Sequence, residues 1–428
     1  MDNTLSITKT NNTGYIVLLC GFVLLVWFLL PVLSIVLLLA ILYHFSINKK
    51  LETFVFLLIA ISLALIGYTT KSVGVRDSDI ARYSESYKSI SALKDFKGYA
   101  VGFLLWGNDN PFFYSLTFSF TRLFPKNPQV LPLFWGTVTY FFSFLTIRQC
   151  VHYFSPESRK SYILVMIFSC IGIITFFTVF ELLKQVSSVS VFGYAVMLKI
   201  SKQKHAFKFL VLSILLHFSS LFLLPAYFFA SSKKALRYMP ILFVFAFALS
   251  FFNFNELLGR IVSLFIHSGD LYNRIQHYTN YESWSLSLRY YADFAMYFLI
   301  IIFLYWDFFL EKDEALINKK RPFLIIHSIA FFILLINRNN VHNFIRYVTG
   351  YFPFYIMAVI YLFNVRIARN ERVLLVLAVL SFYIYSNFKL LSVETVPGAD
   401  YANSYMNNDV VKILSSNIVQ FLQYRVNR

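Results

Sequence analysis

Charge is scarce in this chain, and acid is scarcer than base. Of its 428 residues 14% are charged, with 21 Asp and Glu against 38 Lys and Arg, whereas a soluble domain carries roughly 25% charge. Cysteine is nearly missing. Cys20, Cys150 and Cys170 are an odd set in or beside apolar runs, without metal-ligand spacing, so they read as core thiols and exclude a disulfide framework. No Walker A motif, Rossmann glycine pattern, paired CxxC or HExxH occurs, which removes the usual support for ATP-driven transport and nicotinamide chemistry. Low-complexity segments, convincing internal repeats and a second soluble domain are also lacking. The N-terminal stretch holds one lysine, Lys9, and no small-residue cleavage site, so a retained first span is expected.

What is present is apolar: 58% hydrophobic and 20% aromatic residues, including 50 Phe and 29 Tyr. Irregular backbone cannot face hydrocarbon, and the apolar runs are long where barrel strands would alternate. The fold class is therefore all-α, a polytopic transmembrane helix bundle. Many aromatics close apolar runs (Tyr43, Tyr68, Tyr153, Trp306, Tyr351) and form an interfacial belt. The net charge of +17 points to lipid headgroups and lipid-borne phosphates as partners; no nucleic acid is expected.

Apolar segments cover 15–30, 31–46, 53–69, 129–147, 161–179, 186–198, 209–229, 240–254, 289–306, 323–337, 349–364 and 373–388. Several are shorter than the roughly 20 residues of a straight crossing, so about 10–12 spans are expected, some short or re-entrant. Basic clusters at Lys49/Lys50, Arg159/Lys160, Lys199 to Lys208, Lys233 to Arg237, Lys319 to Arg321 and Arg366 to Arg372 mark cytoplasmic loops. Segment 209–229 has such clusters on both sides yet is long enough to cross only once. A re-entrant hairpin with His217 near its tip reconciles the loops; a single span with an atypical basic loop outside is the alternative. The chain then forms a single membrane domain, 1–428. Its outer face receives a large loop, 70–128, a second loop, 255–288, and a tail, 389–428. Within 70–128 the stretch Pro111 to Phe124 suits an interfacial or re-entrant helix. Apolar spacing over 408–424 suits a helix on the membrane surface.

Polar constellations concentrate on that outer side. Arg76, Asp77, Asp79, Arg82 and Tyr83 combine guanidinium forks for phosphate with carboxylates that can take a proton; a solvated, mutually paired loop is the bland alternative. Asp77-Ser78-Asp79 spells a D-x-D triplet, but nucleotide sugars are cytoplasmic and this loop is expected outside. Glu181, Lys184 and Gln185 sit between two apolar runs, where ionisable groups are expensive and suggest function; a local ion pair on one helix face is the alternative. His217 with Ser219 and Ser220 interrupts an apolar run. Arg338, His342 and Arg346 recur every four residues and, on one helix, would make a basic stripe able to clamp a diphosphate or anchor the interface. Arg274, His277, Tyr278, Tyr281, Trp284 and Arg289 mix cations with aromatics, which suits sugar stacking or anchoring.

In order along the chain, these pieces resemble the EpsG/Wzy-like family of bacterial polysaccharide polymerases. The resemblance is carried by Asp77-Ser78-Asp79-Ile80-Ala81-Arg82-Tyr83 with Tyr87, by Lys184-Gln185, by Leu216-His217-Phe218-Ser219, and by Arg346 with Tyr351-Phe352. Lysine stands at 184 where the family usually has arginine, keeping charge but losing the bidentate fork. The resemblance implies a GT-C-like bundle in the bacterial inner (cytoplasmic) membrane. It also implies a glycosyltransferase that joins undecaprenyl-diphosphate-linked oligosaccharides into O-antigen or related surface polysaccharide on the periplasmic face. Because that diphosphate is already a competent leaving group and the chain offers cations rather than a metal cage, metal-independent transfer without cofactor is expected. A chain-length regulator is a candidate protein partner. In that frame Arg76, Arg82, Tyr83, Lys184, Gln185, Arg274, Arg338, His342 and Arg346 would hold diphosphate and glycan. Asp77, Asp79, Glu181 and His217 are the catalytic candidates. A flippase for the same lipid-linked sugar is the runner-up, and an O-acyltransferase built on His217 the third reading.

Overall fold

The computed structural model describes residues 13–45, 48–74, 79–93, 95–106, 111–125, 127–154, 166, 174, 176–252, 288–339, 341–363, 401–405 and 410–423. Within them the chain is helical apart from one two-stranded ribbon. Helices α1 (Thr13–Leu29) and α2 (Ser34–His44) part at Pro31, whose carbonyl accepts the Ser34 hydroxyl at 2.7 Å. Helix α3 (Lys49–Tyr68) starts at Asn48, whose side chain caps the Leu51 N–H at 2.9 Å. By length and composition α3 and α7 (Val130–Phe154) are apolar enough to cross a membrane. They pack antiparallel, with Arg148 of α7 3.0 Å from Glu52 of α3, both nearly buried.

Helix α8 (Phe176–Glu181) runs into α9 (Leu183–Ile200), which lies along α7 through a seam of hydroxyls. Thr139 meets Ser187 at 2.8 Å, and Ser187 donates to the Trp135 carbonyl at 3.0 Å. The Phe180 ring fills the space between α3 and α7. A Cβ built on Gly67 would come within 1.9 Å of that ring, and one on Gly136 within 2.7 Å. Only glycine permits this approach, and it fixes the corner from which α9 departs.

Helix α10 (Ala206–Leu216) runs antiparallel to α9, since Phe209 meets Tyr194 (5.0 Å between rings) and Ser188 donates to the Ser213 carbonyl at 2.7 Å. The chain leaves helical geometry at His217 (φ −162°, ψ 134°), continues as a 3₁₀ stretch, Phe218–Leu223, and enters α11 (Leu224–Phe229). Ser220 sits beside Ser188, and the Tyr227 ring lies 5.4 Å from the Lys199 ammonium. Ser188 and Lys199 stand about 16 Å apart along α9. The contacts therefore travel back the way α10 came, and the segment reverses as a re-entrant hairpin with His217 at its tip. Ser232 caps the following helix α12 (Lys233–Leu249) through the Ala235 N–H at 3.2 Å.

Helices α13 (Leu288–Leu310) and α14 (Glu314–Ile336) are joined by a turn in which Asp313 caps α14. Lys320 is buried there against Asp307 (2.6 Å) and Glu311 (2.8 Å), and Asp307 also accepts the Tyr361 hydroxyl at 2.9 Å. Neither acid was singled out in the sequence, and Lys320 reads there as one more loop cation. Helices α15 (Val341–Gly350) and α16 (Phe352–Phe363) complete the bundle. Lys49, Lys199, Lys233 and Lys319 gather at one end of it.

The opposite end is built from loop 70–128, which is largely helical: α4 (Asp79–Ser91), α5 (Phe96–Trp106) and α6 (Pro111–Leu123). The expected helix over 111–124 is α6, packed on α4 and α5. Tyr87 donates to the Phe120 and Phe124 carbonyls at 3.0 and 2.7 Å. Burial, with Tyr68 nearby, pushes its phenol up to about 12, so it stays a donor. Strand β1 (Thr70–Gly74) pairs antiparallel with β2 (Tyr401–Tyr405), Thr70 opposite Tyr405. Beyond it α17 (Val410–Ser415) and α18 (Ile418–Gln423) fold back. Phe421 is fully buried and the Leu422 carbonyl accepts the Tyr68 hydroxyl at 3.1 Å, so the end of α18 meets α3, while Val411, Leu414 and Val419 stay exposed.

Candidate active site

Four separate elements converge at the end away from the lysines. From α4 comes Asp79, buried at the first turn. From α15 Arg346 reaches it, with one guanidinium nitrogen 2.9 and 3.1 Å from the two carboxylate oxygens. Arg82, one turn along α4, pairs with the same carboxylate. The Arg346 side chain is 22% exposed and that of Arg82 is 52% exposed, so Arg346 is the more enclosed cation.

Lys184 enters from the start of α9. Leu182 (φ −97°, ψ 40°) breaks the helix after Glu181, so Glu181 and Lys184 do not share one continuous helical face. The Lys184 ammonium lies 4.5 Å from the centre of the Phe113 ring and 5.1 Å from that of Tyr83. Two aromatic rings thus flank the cation. Phe113 in turn stacks on the buried Trp135 of α7. Gln185 donates to the Arg346 carbonyl at 3.4 Å and ties α9 to α15.

The hairpin tip supplies His217. Its Nδ1 accepts the Ser219 backbone N–H at 3.1 Å and lies 2.8 Å from the Ser219 hydroxyl. Lys184, Arg346 and Asp79 are all within electrostatic range of the imidazole. A buried carboxylate, two guanidinium groups, an ammonium and an imidazole therefore cluster at one end of the bundle. Such a set can hold an anion and organise a hydroxyl.

The structure thus brings together Asp79, Arg82, Tyr83, Lys184, Gln185, His217 and Arg346, which are far apart in sequence. It does not bring Arg338 to them. Helix α14 ends at Ile336 and α15 begins at Val341, so the stripe expected through Arg338, His342 and Arg346 is broken by a turn, and Arg338 instead lies over the Phe251 ring at 5.7 Å. Arg76, Asp77 and Arg274 fall outside the described residues, and Glu181 and His342 are placed only as helix positions. Phe113 was missed in the sequence, where one phenylalanine among 50 carries no signal. Among the described residues no three His, Cys, Asp or Glu side chains come together as metal ligands.

The family model described as the EpsG family matches residues 52–406, a range that contains every element of this pocket. No curated protein and no solved structure matches the chain.

Proposed function

Because the chain belongs to the EpsG family, a membrane family with polysaccharide-polymerase-like function, we propose that it joins undecaprenyl-diphosphate-linked oligosaccharide repeat units. The product would be O-antigen or a related surface polysaccharide, made on the periplasmic face of the bacterial inner membrane. The observation that carries this reading is the convergence of Arg346, Arg82 and Lys184 around Asp79 and His217, opposite the lysine-rich end. Cations in a partly enclosed pocket stabilise charge that develops on a leaving diphosphate. A GT-C-like arrangement of one membrane domain, with 70–128, 255–288 and 389–428 facing outward, belongs to the same proposal.

In the reaction, the bond between the anomeric carbon and the diphosphate oxygen breaks as an acceptor hydroxyl attacks. The diphosphate leaves with the bonding electrons, and the hydroxyl proton passes to a carboxylate. Asp79 is engaged by two guanidinium groups and serves to position them, so proton acceptance falls to Asp77 or Glu181. Single displacement inverts the anomeric centre.

The test is the glycan profile of a deletion strain carrying each variant. Arg346→Ala and Lys184→Ala should leave single repeat units on the surface and no long ladders, with membrane insertion intact. Normal ladders from both variants would overturn the diphosphate clamp. Loss of surface repeats altogether would favour a flippase.

A further inference from the structure

His217 sits at the meeting point of the pocket, yet its geometry is not that of a proton acceptor. The residue is extended at the end of α10, and its carbonyl is held by the Ser188 hydroxyl at 3.2 Å and the Ser220 N–H at 3.2 Å. With the backbone fixed, the imidazole turns its Nδ1 onto the Ser219 N–H at 3.1 Å. A backbone N–H can only donate, so Nδ1 must present its lone pair. The hydrogen of the neutral ring is then on Nε2, which has no hydrogen-bond partner among the described residues. Two routes to basicity are closed together. Protonation at Nδ1 would expel the Ser219 N–H, and the positive charge it puts on the ring would face Lys184 from α9 and Arg346 from α15. Asp79 from α4, the one carboxylate in range among the described residues, already pairs with Arg346 and Arg82.

We propose that His217 acts as a neutral hydrogen-bond donor, its Nε2–H directed to the leaving diphosphate oxygen, and that the Ser219 backbone amide sets this tautomer. The proposal rests on the polymerase reading and deepens it. As the glycosidic bond to the diphosphate breaks, negative charge grows on the departing oxygen; Nε2–H shares its hydrogen with that oxygen and does not transfer it. The acceptor proton goes to a carboxylate, so charge and atoms balance without an imidazolium.

The experiment compares His217→Gln, His217→Asn and His217→Ala in membranes of a deletion strain, supplied with the lipid-linked repeat units that this strain accumulates. Glutamine places an amide N–H near the position of Nε2–H and cannot act as a base. Asparagine keeps an acceptor for the Ser219 N–H but is too short to reach the ligand, so it controls for folding of the hairpin. His217→Gln should keep polymerisation within about tenfold of wild type with an unchanged pH profile. His217→Asn and His217→Ala should lose about 10²–10³-fold. Glutamine as inactive as alanine, or a pH profile that loses its acidic limb in His217→Gln, would overturn the donor role. Wild-type rates in all three variants would overturn it too, while leaving the polymerase reading in place. Absence of polymer from the wild-type membranes overturns that reading and this one with it.

Discussion

Arg346 and Arg82 share one carboxylate from unequal depths. An ion pair weakens with solvent access, so Arg346→Ala should reduce long-chain polymer about 10²-fold or more, and Arg82→Ala only several-fold, as read from ladder intensity. Equal losses would mean that exposure does not grade these contacts. At Lys184 the Phe113 and Tyr83 rings lie against the ammonium. A guanidinium stacks on such faces and adds a fork for phosphate, so Lys184→Arg should keep polymerisation at or above wild type, while Lys184→Met should lose it. The buried Lys320 makes a contrasting prediction. Its removal leaves Asp307 and Glu311 together without their cation, so Lys320→Met should destabilise the fold by about 3–5 kcal/mol, measured by unfolding in detergent. Polar residues at the ends of apolar runs were legible in the sequence because water would otherwise claim them. Phe113, Asp307 and Glu311 were not, because their partners lie on other helices.

The hairpin of α10 and α11 was legible as an element from charge alone: lysines flank it on both sides and His217 interrupts it. The end of α14 at Ile336 was legible from the apolar segment 323–337, but the start of α15 at Val341 was not, since a four-residue spacing through Arg338, His342 and Arg346 is compatible with one helix. The corner at 180–185 was legible as the join of two apolar runs, but what sets it was not, for Gly67 and Gly136 are each unremarkable until the Phe180 ring is set between them. That corner aims Lys184. Gly67→Ala should therefore lower stability by about 1–3 kcal/mol and reduce polymer yield, with Gly136→Ala milder. Adding Phe180→Leu to Gly67→Ala should recover part of both. A double variant no better than the single would show that the ring is not what the methyl group meets.

Across the described part of the molecule, Lys49, Lys199, Lys233 and Lys319 stand at one end, and Arg82, Lys184 and Arg346 gather near Asp79 at the other. Composition made the helical class plain, and loop lysines predicted which ends lie together, because the cost of moving charge through hydrocarbon leaves a record in sequence. Cysteines placed at 234–238 should stay unlabelled by an impermeant reagent in intact cells with the outer membrane permeabilised, while a cysteine at position 82 should react. Labelling at 234–238 from outside would overturn the orientation, and with it the proposal that the pocket opens to the periplasm. The joint between chain ends carries a further consequence. Tyr68 and Leu422 meet although they are 354 positions apart, and β1, which leads into α4, takes its hydrogen bonds from β2. The strand that precedes Asp79 is thus completed only by residues 401–405. On the proposed reading, a chain truncated before Tyr401 should lose the ribbon and with it long-chain polymer.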